Sequence, residues 1–398
     1  MRAVSVALTC TLISSVAVAE NDQQAPELEP RETVEEVVGG DDSPLGKWPD
    51  TAAILYGGQQ QCTGTLIAPT VALTAGHCAE GITPTSILIN TNSLFRGDGE
   101  QVQVTKVVQL SQNDTTVLVL AKPATTAPRA IATGWAKLDI KNGAPVQIVG
   151  YGATQSNGGG SASLMQEAMS TITDFDCSVK PGCDNFELGA GGEGIDSCFG
   201  DSGGPLYLLT DYGNFLVGVT SRGYAQGGAP CGQGGIYGRP DQIIDAIEQA
   251  AGTTVTKGPE PALEEPLLAI RGDAGEARII HNDPKGTAHN FAITTQPMKG
   301  QAAVRADGQL RVCVNPDAIP GDTDSVVVTV TDANDPTRSV AKSFTVSVAA
   351  NEPESGPCDP MAFGAEEGGG CCDSGGQGAG GAGLLSLFAL VMLRRRRR

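Results

Sequence analysis

From Val37 to about Ala250 the chain reads as short β-branched runs broken by Gly, Pro and Asn, among them Thr65-Leu66-Ile67, Val102-Gln103-Val104, Val117-Leu118-Val119-Leu120 and Val146-Gln147-Ile148-Val149. Branched side chains suit a pleated surface, and glycine and proline punctuate it. Regular short strands with turn signals between them predict an all-β barrel or sandwich. One helix is expected, over residues 242–250, where Ile243, Ile244 and Ile247 share a face.

At 398 residues the chain exceeds one ordinary core, so two domains plus processed ends are expected. Residues 1–19 carry a charged start at Arg2, an apolar run and the small-residue exit Ala17-Val18-Ala19, the layout of a secretory signal. Eleven cysteines suit an oxidising compartment, in keeping with export. Residues 20–36 are rich in Glu and Pro and read as a pro-segment. The first β domain takes 37–251, and a Thr, Pro and Glu linker takes 252–265. A second β pattern fills 266–350, where the runs 325–330 and 343–348 look like paired strands. Residues 351–383 are rich in Gly and Cys, with Cys371-Cys372. Residues 384–398 join a short apolar run to five arginines. That run falls short of the roughly 20 residues a stable span requires, and the arginines belong on the cytoplasmic side.

The formal charge of −19 excludes a nucleic-acid partner, since phosphate binding needs an excess of Lys and Arg. The chemistry-bearing signal is instead Gly200-Asp201-Ser202-Gly203-Gly204-Pro205. A serine hydroxyl is a poor nucleophile until a base takes its proton, and flanking glycines let the backbone amides curl toward a carbonyl. His77, in Leu73-Thr74-Ala75-Gly76-His77-Cys78, is the only histidine of the first domain. It has no rival as base, and its isolation argues against a zinc hydrolase; no metal or cofactor is expected. Asp114 opens an apolar run, whereas its rival Asp98 sits in Arg96-Gly97-Asp98-Gly99, which reads as an exposed turn. His281 and His289 read as solvated surface residues.

Together these motifs resemble the trypsin/chymotrypsin family of serine proteases over residues 37–250, with Gly150-Tyr151-Gly152 and the closing helix also matching. The resemblance implies a double six-stranded β-barrel and a His77, Asp114, Ser202 triad, with the amides of Gly200 and Ser202 as oxyanion hole. It also implies bridges Cys62 to Cys78, Cys177 to Cys183 and Cys198 to Cys231. Asp196 falls at the floor of the primary pocket, with Ser221, Gly223 and Gly235 on its walls, and so implies cleavage of protein or peptide substrates after Arg or Lys. Val37-Val38-Gly39-Gly40 resembles the family's new N-terminus, whose ammonium would pair with Asp201 after cleavage by an activating protease. Two positions depart from the pattern: Arg222 replaces a large aromatic in the cleft, and Glu36 replaces a basic residue ahead of Val37. The Glu36 departure points away from self-activation.

Residues 266–350, with Thr329-Val330-Thr331-Asp332, resemble a smaller bacterial Ig-like or cadherin-like β-sandwich; the sequence leaves open whether Cys313 and Cys358 pair. The tail resembles the bacterial sorting tags MYXO-CTERM and GlyGly-CTERM, and the cysteine pair favours the first. Such a tag implies transient membrane attachment and removal by a membrane protease, against the alternative of a permanent anchor. A protease-like binding module is the rival reading of the whole chain, and an intact triad with a pocket acid argues against it.

Overall fold

The computed structural model describes residues 37–160, 163–224, 229–286, 288–349 and 358–363. The signal, the pro-segment, the apolar and arginine tail and nearly all of the Gly/Cys segment lie outside these residues. Strand β1 (Asp41–Asp42) precedes six strands, β2 (Thr51–Tyr56), β3 (Gln59–Ala68), β4 (Val71–Ala75), β5 (Ser86–Ile89), β6 (Glu100–Gln109) and β7 (Thr115–Leu120). These six close in the order β2-β3-β4-β7-β6-β5. After a short helix α1 (Gly134–Lys137) come β8 (Pro145–Gly150), β9 (Gln166–Asp174), β10 (Glu187–Ala190), β11 (Pro205–Thr210), β12 (Gly213–Gly223) and β13 (Gly235–Gly238). Their order is β9-β10-β13-β12-β11-β8, and β8 pairs back onto β9 to complete a second six-stranded barrel, with β1 added alongside β9.

Closure explains the burial pattern. Every residue of β2, β4 and β13 is buried, because a closed barrel clamped against a second one leaves those strands no wet face. One apolar cluster draws on both barrels, with Leu73 and Val117 from the first and Tyr207 and Leu216 from the second. Trp48 stacks on Tyr207 at 4.5 Å between ring centres.

The closing helix α2 runs Ile244–Ala251. It starts later than expected from the isoleucine spacing, because Pro240–Gln242 forms a separate 3-10 turn and Ile243 takes the cap position. The expected linker at 252–265 is bonded to the barrels. Val255 is buried, and Thr256 donates its amide to Ile67 O and accepts from Ile131 N. Gly258 N reaches Ile131 O, and Pro259 O accepts from Trp135 N. Composition suggested a linker, and one buried apolar side chain with a ladder of backbone bonds fastens the segment to the barrels.

Beyond it are β14 (Ala262–Leu263), β15 (Leu267–Ile270), β16 (Ala274–Ile280), β17 (His289–Thr295), β18 (Gly300–Val304), β19 (Gln309–Val314), β20 (Thr323–Asp332) and β21 (Ser339–Ala349). They form two four-stranded sheets, β14-β16-β19-β18 and β15-β21-β20-β17. Strands β20 and β21, holding the runs 325–330 and 343–348, are neighbours, with Val326, Val328, Val330, Val346 and Val348 turned inward at period two. Cys313 bonds to Cys358. By packing, the chain forms two compact units whose division does not follow the sequence boundary: the first takes residues up to Ala262 with Ile279–Ala292 and Thr329–Lys342, the second the remainder.

Candidate active site

Strand register brings His77 and Asp114 together. β4 and β7 run antiparallel with Ala75 opposite Thr115, so the residues just beyond each strand meet. Gly76 N donates to Asp114 O at 2.7 Å. A side chain at Gly76 would collide with the aspartate, since an added Cβ would lie 2.7 Å from its Oδ1. The Asp114 carboxylate accepts from His77 N at 2.9 Å through Oδ1 and from the His77 ring Nδ1 at 2.9 Å through Oδ2. Ser221 Oγ in β12 donates to the same Oδ2 at 2.6 Å. This pattern assigns the ring proton to Nδ1 and leaves Nε2 bare.

Electrostatics follow from these bonds. The hydrogen bond to Asp114 raises the His77 pKa above its ordinary value despite partial burial. Burial pushes Asp114 upward, and the bonds from His77 and Ser221 outweigh it and hold the carboxyl below its usual range. The pair is therefore an anion holding an imidazole that gains a proton more readily than a free one.

Ser202 is fixed through its backbone. Its carbonyl accepts from Thr63 N at 2.9 Å, and the adjacent Gly203 N donates to Thr220 O at 2.7 Å. Gly203 has φ +80°, and a Cβ there would lie 2.1 Å from Thr74 Oγ1 and 2.5 Å from Ala75 N, so only glycine lets the loop come this close to the first barrel. Gly200 O accepts from Thr63 Oγ1 at 2.8 Å and Gln60 Nε2 at 3.2 Å. Among the described residues the amides of Gly200 and Ser202 donate to no protein acceptor. Thr63 and Gln60 are site residues that sequence reasoning missed; Thr63 adjoins Cys62, but nothing in the sequence says that its hydroxyl faces a loop so far along the chain.

His77, Ser202, Ser221 and Gly223 line one cleft of about 660 Å3. Cys62–Cys78 anchors its histidine side and Cys198–Cys231 its serine side, while Cys177–Cys183 closes a separate loop. Arg222 lies on the cleft wall, forked onto the buried Glu187 at 2.6 and 2.7 Å and bonded to Gly182 O at 2.8 Å. The guanidinium that replaces an aromatic is thus pinned by a partner the sequence did not reveal.

Asp196 and Gly235 do not line this cleft; both are buried. Asp196 Oδ2 accepts from Gly232 N at 2.8 Å and Gly234 N at 3.2 Å, and its Oδ1 has no partner among the described residues. Burial pushes its pKa to about 6. Asp201, fully buried, accepts from Gly152 N at 2.8 Å and Cys198 N at 2.9 Å, and burial lifts its pKa to about 7. Val37, buried in the second barrel's core, has φ +35°. Asp98 is exposed, accepting from Thr91 Oγ1 at 2.6 Å.

Residues 37–247, just over half of the chain, match the family model described as Trypsin. The chain belongs to the trypsin family. It is accordingly a serine-type peptidase acting on proteins. Across 53% of this chain and 96% of that protein it is 34% identical to a trypsin of Saccharopolyspora erythraea. It is 30% identical to serine protease 56 of Mus musculus, of which it spans 41%. Among solved structures it is similar to neuropsin, a serine protease expressed in the limbic system of mouse brain, at 26% identity and a TM-score of 0.46 over 53% of this chain and 97% of that one.

Proposed function

We propose that the protein is an exported endopeptidase that cleaves after Arg and Lys through a His77, Asp114, Ser202 triad, made as a zymogen and switched on by cleavage before Val37. The observation that carries the reading is the His77 Nδ1 to Asp114 Oδ2 bond of 2.9 Å at the edge of the cleft that Ser202 lines. With Nδ1 protonated and held, Nε2 is the basic nitrogen that takes the Ser202 proton as the hydroxyl attacks the substrate carbonyl. The free amides of Gly200 and Ser202 are suited to receive the oxyanion. His77 then hands its proton to the leaving amine, and water repeats the sequence on the acyl-enzyme.

Specificity rests on Asp196. A buried carboxylate oxygen lacking a partner is costly; it is closed off from the cleft here, and once activation opens a way to it a Lys or Arg head group would supply both charge and hydrogen bonds. The same pocket offers nothing to a neutral side chain. In otherwise identical peptides ending in Arg, Lys, Phe, Leu or Glu, the activated enzyme is expected to cut the first two fastest; a faster rate at Phe or Glu would refute the pocket assignment.

Export is supported by the signal-like start and by four disulfides. We read the second β region as an Ig-like module, supported by its two four-stranded sheets and period-two burial. The tail is read as a sorting tag removed by a membrane protease. Intact mass of the exported protein tests both ends at once: a chain beginning at Val37 and lacking the five terminal arginines is expected, and retention of the arginines would favour a permanent anchor.

A further inference from the structure

Outside the cleft, one group of side chains is assembled from three segments for which the peptidase chemistry has no use. Asp283 lies just after β16, His289 opens β17 and Asp332 ends β20, all within the first compact unit. His289 is a correction to its reading as a solvated residue: its side chain is 1% exposed, and that of Asp283 is 0% exposed. The cause is non-local, since the His281 ring stacks on it at 3.9 Å and the Trp135 ring lies 5.6 Å away.

Asp283, His289 and Asp332 each present one donor atom, and the three lie within 4.8 Å of one another. A Cβ built on Gly286 would stand 2.8 Å from Asp283 Oδ2, from Asp332 Oδ2 and from His289 Nε2. Three donors therefore converge beside a spot that only glycine at this position keeps clear. The second oxygen of each carboxylate is already committed. Asp283 Oδ1 accepts from Arg338 at 3.2 Å, and Asp332 Oδ1 accepts from Asn334 N at 2.8 Å. The bland alternative is a buried Asp283, His289, Arg338 network that needs nothing more. It leaves two carboxylate oxygens of buried residues turned toward each other, with a single imidazole at 3.2 Å from one of them. Two such anions in one low-dielectric place favour a shared cation.

We propose that Asp283, His289 and Asp332 hold a divalent transition-metal ion of the zinc class. An imidazole in the set selects such an ion over calcium or magnesium, which take oxygen ligands. Ligands about 2.1 Å from a tetrahedral ion stand about 3.4 Å apart, and the Asp283 Oδ2 to His289 Nε2 separation is 3.2 Å. Arg338 and the Asn334 amide orient the two carboxylates from behind, the role outer partners take around metals. His289 Nδ1 has no hydrogen-bond partner among the described residues, so moving the ring proton there to free Nε2 breaks the bond to Asp283 and leaves the new N–H without an acceptor, a cost the ion has to outweigh. The role is structural: the ion would fasten Asp283, His289 and the end of β20 near Trp135, whose indole donates to His281 O at 2.6 Å.

The experiment uses the full chain carrying Ser202→Ala, stripped with chelator and then given Zn2+ alone. One retained zinc per chain after dialysis is expected, with a rise in Tm that chelator reverses and a change in tryptophan emission from Trp135. His289→Gln and Asp332→Asn are each expected to weaken zinc binding at least tenfold. The proposal is overturned if the parent chain retains no zinc, if both folded variants bind it as the parent does, or if Ca2+ shifts Tm and Zn2+ does not. Should a variant fail to fold, the zinc content of the parent still decides.

Discussion

Ser202→Ala is expected to fold as the parent chain does and to hydrolyse peptides slower by roughly four to six orders of magnitude. It folds because the structure holds this residue by its carbonyl, which accepts from Thr63 N, and by the neighbouring Gly203 amide, neither of which the substitution touches. It is inert because the remaining machinery, the free amides and the bound imidazole, has no nucleophile to act on. His77→Ala is expected to lose about as much, and the double variant little more, since base and nucleophile act as one unit. Active-site titration with a fluorophosphonate provides the check: the activated parent labels stoichiometrically and the variant does not. Hydrolysis by the variant within about tenfold of the parent would remove Ser202 from the mechanism.

The second large effect is on stability. In the uncut chain Asp201 is buried against two backbone amides, and burial lifts its pKa to about 7 from the usual 3.8. The unfolded carboxyl ionises near pH 4 while the folded one keeps its proton until about 7, so the unfolded state binds fewer protons across that interval. The contribution of Asp201 to stability therefore falls as pH rises from about 4 to about 7 and levels off above. Asp196, lifted to about 6, adds a contribution of the same sign. Cleavage before Val37 would place an ammonium beside Asp201, hold it ionised and remove the penalty. Groups common to both forms cancel in the comparison, so the cut form is expected to gain on the uncut form with rising pH. The gain reaches a few kcal/mol at neutral pH, of order 10 °C in Tm. Calorimetry on the Ser202→Ala chain, cut and uncut, from pH 4 to 8 measures this directly; a difference that stays flat with pH would refute the Val37 to Asp201 switch.

How much of this the sequence carried depends on the distance over which each feature is decided. The histidine, aspartate and serine motifs are local and sit at strand ends, so their residues could be named before any fold was known. The all-β class was legible for a related reason, since short branched runs with turn residues between them suit a barrel or a sandwich, and the double barrel was implied by the family resemblance of the motifs. Thr63 and Gln60 were not, because each acquires its role from Gly200, 137 and 140 positions along. The pairing of Arg222 with Glu187 was hidden in the same way, although the odd residue itself was visible. His289 was misjudged because its burial is decided by the stacked His281 ring and by Trp135, far away in sequence. Composition was silent on the attachment of 252–265, because the backbone bonds to Ile67, Ile131 and Trp135 are indifferent to side-chain polarity.

The fastening of that segment sets where the peptidase ends. A chain shortened to residue 251 would leave the amides of Ile131 and Trp135 without the acceptors Thr256 O and Pro259 O, and would remove Val255 from the core. The catalytic unit accordingly runs at least to Ala262, past the point where the sequence turns polar, and by packing it also takes in Ile279–Ala292 and Thr329–Lys342. The strap is inherited by the enzyme rather than by whatever follows it, so any transplant of the catalytic unit onto another partner has to carry those last residues along.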